Sequence, residues 1–297
     1  MSYIPELRLA DPKTLKKDVE LRVLSLGAGV QSSTVLFKML DQKIKPADIA
    51  IFADTGNEPK EVYEWLKYLK TLIKGKLQLE IVRNNENTGN IINDYQSTSG
   101  RHGIIPLHIK RQDGTTGINM RTCTHEYKIK PIQRKIKEIV GGSLRGKCVE
   151  MIMGISYDEI QRAKTPSNKW SIHCYPLVEN KITRQDCKHW ISHTDYPQPP
   201  RSACIICPYH DNTEWKNLRD NYPEEYKSAV EFDEWLRDPN SKSGALDKFA
   251  AYNEKKGMPS EQYVYKGKVP LKDATLEEPN DYQGSLFDDE CEGMCGI

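Results

Sequence analysis

One stretch constrains the chain more than any other. Leu21-Arg-Val-Leu-Ser-Leu-Gly-Ala-Gly-Val-Gln-Ser-Ser-Thr-Val-Leu36 reads as strand, tight turn and helix in direct succession. Val23, Leu24 and Leu26 suit a buried strand, and Gly27, Ala28 and Gly29 let the backbone turn sharply and come close to a ligand. Ser25 closes the strand, and Gln31, Ser32, Ser33 and Thr34 open a helix whose apolar positions continue through Val35, Leu36, Met39 and Leu40. Free N–H groups at a helix start, with the dipole behind them and hydroxyls around them, form an anion site. A plain βα turn also needs glycine, so the motif alone leaves phosphate binding and an ordinary turn both open.

The same rhythm repeats downstream. Residues 48–54 form a second strand ending in Thr55-Gly56-Asn57-Glu58-Pro59, with Pro59 placed to start a helix. The carboxylate of Asp54 at that strand end lies where open α/β sheets bind ligands. Residues 60–73 follow as a helix with Val62, Trp65, Leu66 and Leu69 on one side, then a strand over 77–82. A further strand, 148–154, runs into the charged corner Ile155-Ser-Tyr-Asp-Glu-Ile-Gln-Arg162. Strands alternating with helices at this pitch predict an α/β fold with a doubly wound, Rossmann-like parallel sheet and three strand ends facing one cleft.

Elsewhere the pattern is weaker. Residues 84–117 are polar and rich in glycine, with Arg101, His102, His108, Lys110 and Arg111 interspersed, and are expected as loops over the sheet edge or as a surface insert. Arg121 opens a stretch that becomes a helix to about Val140. Residues 170–178 read as extended or hairpin, and 183–193 as a helix capped by Thr183. Tyr196-Pro-Gln-Pro-Pro200 is a stiff linker. The expected organisation is therefore a leader or edge segment over 1–20, an α/β domain over 21–195, and a mostly helical, cysteine-containing extension over 196–297.

Composition narrows the partners. Basic and acidic residues number 43 and 42, so no average field recruits nucleic acid, and a polyanion would have to meet a local patch. No apolar run approaches the ~20 residues of a membrane span and the first residues lack a secretory pattern, so a cytoplasmic protein without membrane contact is expected. A reducing compartment turns the 8 cysteines from a disulfide frame into candidates for metal binding or catalysis. Cys204-x-x-Cys207 can hold one edge of a metal or cluster and needs partners, of which Cys123 is the best placed. Cys291 or Cys295 could add a ligand, Cys148 suits a buried small hydrophobe, and Cys174 and Cys187 are undecided. Zinc competes with a cluster because His125 and His210 flank the same cysteines, and unrelated thiols at helix ends remain an alternative.

Taken in order, these blocks resemble the phosphoadenosine phosphosulfate (PAPS) reductase-like branch of the PP-loop, or adenine nucleotide α-hydrolase, superfamily. Residues 21–36 look like its pyrophosphate loop, Asp54-Thr55-Gly56 like its second-strand motif, and Gly154 to Arg162 like its later nucleotide-contacting loop. Cys123-Thr-His-Glu-Tyr-Lys128-Ile-Lys-Pro131, with the CxxC pair far downstream, is similar to the cluster motif of adenylyl-sulfate (APS) reductases. The ending Glu-Cys291-Glu-Gly-Met-Cys295-Gly-Ile297 looks like that of phage and bacterial relatives. Three departures stand out. Gln31 occupies the position where the family's Ser-Gly-Gly-x-Asp-Ser loop carries an acid; Thr124 stands where APS reductases have a second adjacent cysteine; and no His follows the tail cysteines.

The resemblance implies ATP at the loop, with N–H groups around Gly27, Ala28 and Gly29 and the hydroxyls of Ser32 and Ser33 on phosphate oxygens. Asp54 and Glu58 could hold ribose hydroxyls or Mg²⁺, and Arg121, Lys128 and Arg162 would neutralise the anionic end of the substrate. A [4Fe-4S] cluster on Cys123, Cys204 and Cys207 would serve sulfur transfer after α–β cleavage of ATP, with a nucleic-acid acceptor. The alternative is reduction of APS or PAPS to sulfite, with Cys291 or Cys295 attacking sulfur. A second alternative is a non-catalytic nucleotide-binding subunit with a structural metal, as a homo-oligomer or with a protein partner.

Overall fold

The computed structural model describes residues 3–97, 103–255 and 260–277. Among them run strands β1 (Leu7–Leu9), β2 (Leu21–Ser25), β3 (Ile49–Asp54), β4 (Gln78–Arg83), β5 (His108–Arg111), β6 (Thr116–Ile118), β7 (Val149–Met153), β8 (Ser171–Tyr175) and β9 (Ser260–Tyr263). The helices are α1 (Val30–Leu40), α2 (Lys60–Leu72), α3 (Ile91–Gln96), α4 (Lys130–Ile139), α5 (Pro176–Glu179), α6 (Arg184–Ser192), α7 (Asn212–Asn221), α8 (Pro223–Trp235) and α9 (Gly244–Lys255). No helix of the described residues is long and apolar enough to cross a membrane.

The main sheet has the order β1-β8-β7-β2-β3-β4, parallel except for β1, which pairs antiparallel with β8. Strands β2, β3, β7 and β8 are buried along their whole length, as apolar runs covered on both faces must be. Alternate residues serve opposite faces. Leu24, Ala50, Phe52 and Ile152 pack with α1, α2 and α6, whereas Val23, Ile51, Ala53 and Met151 pack with Ile132 and Ile136 of α4. Helices on both faces of a mostly parallel sheet make the fold doubly wound. The chain moves outward from β2 through β3 to β4 in one direction and from β7 to β8 in the other. Strands β2 and β7 therefore flank the switch point, and the crevice beyond their C-terminal ends is where such sheets place ligands.

Several expectations change. Residues 7–9 form an edge strand, and Glu6 joins Arg22 and Glu150 in a buried ion-pair network at the opposite end of the sheet from the crevice. Residues 84–117 are more than loops, since they hold α3, β5 and part of β6. Residues 170–178 form a parallel strand and a short helix, without a hairpin. The expected boundary at 195/196 does not separate the two cores. Ile91, Tyr95, Leu107 and Tyr127 pack with Trp215, Phe232 and Leu271, and β5 carries β6 on one side and β9 on the other. The linker over 196–200 is not loose either, because Tyr196 stacks on Phe37 with ring centres 4.0 Å apart. The Thr183 cap is present as a full capping box with Asp186.

The buried face of β8 carries His173, whose Nδ1 lies 3.2 Å from the Tyr175 hydroxyl. Burial pushes its pKa down to about 4. The folded state thus holds the imidazole neutral, while the unfolded chain protonates near ~6.5. This contribution to stability is complete above that value and is lost as pH falls towards 4. Linkage gives a loss of about 2 kcal/mol between pH 7 and pH 5. His173→Gln is expected to remove that part of the acid sensitivity, so the wild-type advantage measured by urea unfolding should shrink by this amount at pH 5; a pH-independent difference would contradict it.

Candidate functional site

The turn after β2, expected as a phosphate loop, is tight. Ala28 adopts φ 63°, a left-handed conformation uncommon for a residue with a Cβ, and Gly29 caps α1 in an extended conformation. The first turn of α1 contains no acidic residue of its own. Gly154, at the end of β7, lies against this turn: a methyl group on it would stand 2.6 Å from the Ser32 amide nitrogen and Cα. The β7 corner is thereby seated on the helix start.

Side chains tie the two strand ends together. Gln31 is fully buried, and its Nε2 donates to Glu159 Oε2 at 3.1 Å; Ser156 Oγ lies 3.5 Å away. Glu159 also pairs with Arg162 within the 3₁₀ turn Tyr157–Arg162. Arg162, expected on the substrate, is thus engaged with a neighbour. Ser33 Oγ accepts from Trp65 Nε1 at 3.2 Å and so serves α2, while Ser32 Oγ donates to the Gly29 carbonyl at 3.3 Å. Residues 25–34 are all buried, with the 154–162 corner across them. Glu159 lies inside the motif read from sequence, but its bond to Gln31 could not be inferred from either segment alone.

The turn after β3 is built around Asp54. Its Oδ1 accepts from the Gly56 N–H at 2.7 Å and the Tyr63 hydroxyl at 2.9 Å, and its Oδ2 accepts from Arg83 Nε and Nη2 at 2.7 and 2.5 Å. Asp54, expected on ribose or Mg²⁺, is consumed in shaping the turn. Tyr63 and Arg83 are the partners that sequence reading missed. Gly56 takes φ 71°, and its carbonyl accepts from the Asn90 side chain at 2.6 Å. Thr55 Oγ1 donates to Glu58 Oε1 at 2.8 Å and lies 3.1 Å from Cys204 Sγ. Burial is the main cause that raises the Glu58 pKa, opposed by the charge of the buried Lys128. Buried oxygens of Gln31 (Oε1), Asn57 (Oδ1) and Glu58 (Oε2) have no hydrogen-bond partner among the described residues. Such groups each cost about 1–3 kcal/mol and mark places where a ligand or water completes the set.

The cysteines converge as the spacing suggested. Cys123, Cys204 and Cys207 line one cavity of about 30 Å³, together with Arg121 and Tyr209. Arg121 lies 5.4 Å from the Tyr209 ring centre. The CxxC turn is anchored on the β3 turn, because Ile205 N–H donates to the Asn57 carbonyl at 3.0 Å. His125 and His210 do not line this cavity. Lys128 sits in a π-type turn, His125–Ile129, that precedes α4. Cys148, Cys174 and Cys187 are buried in the core beside α1 and α6. Cys291 and Cys295 lie outside the described residues.

The donor set has the chemistry of an iron–sulfur or zinc centre, since three thiols share one wall. As placed, no three or more His, Cys, Asp or Glu side chains among the described residues stand close enough to hold a metal ion. Holding a metal or a cluster therefore requires the three thiols to be brought within ligating distance of one centre.

Residues 22–200 match a family model described as the phosphoadenosine phosphosulfate reductase domain. Among solved structures, the chain is similar to the phosphoadenylyl-sulfate (PAPS) reductase from Candida auris in its phosphate complex, at 15% identity and TM-score 0.40, covering 62% of this chain and 77% of that one. It is also similar to the U34-tRNA thiolase NcsA from Methanococcus maripaludis with its [4Fe-4S] cluster, at 16% identity and TM-score 0.37, covering 82% and 84%. No curated protein matches the chain in sequence.

Proposed function

The chain belongs to the phosphoadenosine phosphosulfate reductase domain family, and from that premise we propose that it is an adenine-nucleotide enzyme of sulfur metabolism that cleaves ATP and passes sulfur to an activated acceptor. What carries the reading is the junction of Thr55 and Cys204, 3.1 Å apart. It joins the CxxC turn to the β3 turn, and Cys123 lines a cavity with that CxxC; the buried oxygens of Gln31, Asn57 and Glu58 without partners among the described residues support a ligand site at these strand ends.

The N–H groups of the α1 start hold the pyrophosphate oxygens and stabilise the charge that develops there. An acceptor oxygen attacks the α-phosphorus; the bond to the β-phosphate oxygen breaks, and pyrophosphate leaves with that electron pair. A sulfide-level nucleophile from an external hydrosulfide donor then attacks the acceptor carbon; the C–S bond forms, the C–O bond to the adenylyl group breaks, and AMP leaves with that electron pair. Arg121, on the wall of the cysteine cavity, supplies positive charge for the anionic end of the substrate. Lys128 does the same for Glu58, favouring its carboxylate form against burial. Cys123, Cys204 and Cys207 would hold a [4Fe-4S] cluster, and three protein ligands leave one iron able to take a further ligand.

The test compares the products formed by anaerobically purified protein from ATP with an acceptor, and separately from APS and PAPS. Pyrophosphate and AMP from ATP, without sulfite from either sulfonucleotide, is the expected result. Sulfite formation would replace this reading by reduction, and neither product would indicate a binding subunit. Iron and acid-labile sulfide in the same preparation, reduced by Cys204→Ser, test the assignment of the thiols.

A further inference from the structure

A much larger cavity, about 610 Å³, opens on the other side of the segment that carries Cys123: Thr122 lines it, while Cys123 lines the cysteine cavity. Its walls come from β5, β6, the segment leading to Cys123, and α9. None of the loop residues 27–33 and none of the turn residues 54–58 contributes. The volume falls in the range of about 300–1,000 Å³ that small-ligand sites occupy.

The lining is unusual for a solvent-facing groove. Phe249 and Tyr252, three residues apart and hence neighbours on α9, bring two aromatic rings to it. Tyr252 is 62% exposed and Met120, which also lines the cavity, 71% exposed, so the cavity holds apolar surface that the described residues do not cover. Two cations, Arg111 and Lys248, line the same space. Glu126, the sole carboxylate among its lining residues, is ion-paired with Lys130. Arg111 is held by Thr115 Oγ1 at 3.3 Å and the Thr116 carbonyl at 3.2 Å, and its buried Nε has no hydrogen-bond partner among the described residues.

Rings, net positive charge and an unsatisfied guanidinium N–H together select a ligand that is flat and apolar on one part and anionic on another. The geometry points to this cavity as a second nucleotide site, with a base stacked on Phe249 and Tyr252 and a phosphate at Arg111 and Lys248. Base–aromatic stacking is tolerant of sequence, and Arg and Lys supply the phosphate contacts. A free nucleotide and an unpaired nucleotide within a strand share this chemistry. The site deepens the proposed function by naming the acceptor class, and rests on that reading only for the role of the bound nucleotide, not for its binding.

Two probes separate the sources: a fluorescein-labelled single-stranded RNA decamer followed by anisotropy, and UMP followed by calorimetry, both without ATP. UMP carries no adenine, the two variants below distinguish this cavity from the turn after β2, and because no ATP is present the outcome does not depend on whether the protein cleaves it. Tyr252→Ala is expected to weaken binding about tenfold, the scale of one lost stack. Lys248→Ala is expected to weaken it and lower the salt slope by about one, the signature of a phosphate contact. Both side chains are exposed, so unfolding midpoints should stay at the wild-type value. Binding of the decamer alone assigns the site to a strand, and binding of UMP that Tyr252→Ala weakens assigns it to a free nucleotide. Failure of both probes to bind, or binding that neither variant alters beyond twofold, overturns the proposal.

Discussion

Gly56→Ala is expected to cost about 2–5 kcal/mol and to loosen the CxxC turn with it. Two effects add at this position. An alanine at φ 71° pays about 1–2 kcal/mol for the left-handed conformation. Its Cβ would also stand 2.5 Å from the Gly89 carbonyl oxygen and 2.8 Å from the Asn90 Cα, both backbone atoms that cannot swing away. Relief requires α3 to shift, at an overpacking cost of about 1–3 kcal/mol. That shift would strain the bond from Ile91 N–H to the Thr55 carbonyl, 3.0 Å, and the bond from Asn90 to the Gly56 carbonyl. Gly75 and Gly146 provide the control. They take φ 76° and 82° with nothing within 4 Å of an added Cβ, so alanine there should show the conformational cost alone. Denaturant unfolding of the three variants separates the terms. The Cys204 and Cys207 thiols should react faster with a thiol reagent in Gly56→Ala only, because Thr55 and Asn57 position that turn. Equal losses in all three variants would refute the steric argument.

The reach of sequence reading follows from how local each determinant is. Strands β2, β3 and β7 were legible because a strand buried on both faces must be a short apolar run, and each has a helix or a charged corner beside it in sequence. The convergence of Cys123 on Cys204 and Cys207 was legible because their order and spacing match a known arrangement. The second sheet was not. Its strands read His-Ile-Lys-Arg, Thr-Gly-Ile and Ser-Glu-Gln-Tyr, too short and polar for any period to emerge, and β5 finds β9 far along the chain. The role of Asp54 was hidden for a related reason. A carboxylate at a strand end looks the same whether it faces a ligand or, as here, Gly56, Tyr63 and Arg83.

Gln31 shows the same limit with the largest consequence for function, and Gln31→Glu puts it to the test. The amide nitrogen of Gln31 donates to Glu159, so a carboxylate of the same shape would place two acids about 3.1 Å apart in a buried setting. Arg162 already pairs with Glu159 and offsets only part of that repulsion. We expect a loss of about 2–4 kcal/mol at pH 7, because like-charge repulsion replaces a charge-assisted hydrogen bond. The introduced carboxyl would have a folded-state pKa raised above its unfolded value of about 4.3, so the penalty grows as pH rises through that interval and fades as pH falls towards 4.3. Below it the protonated acid can donate to Glu159 as the amide does. Wild type and variant should therefore differ strongly in urea midpoint at pH 7 and little near pH 4.5, with the acid sensitivity of His173 common to both and cancelling. A difference that stays constant across this range would mean that Gln31 does not contact Glu159. Because that bond ties the 154–162 corner across the turn proposed to hold phosphate, the variant should also bind adenine nucleotide with altered affinity at pH 7 but near-normal affinity in acid. Ser156→Ala, which leaves the Glu159 contact in place, should show neither pH dependence.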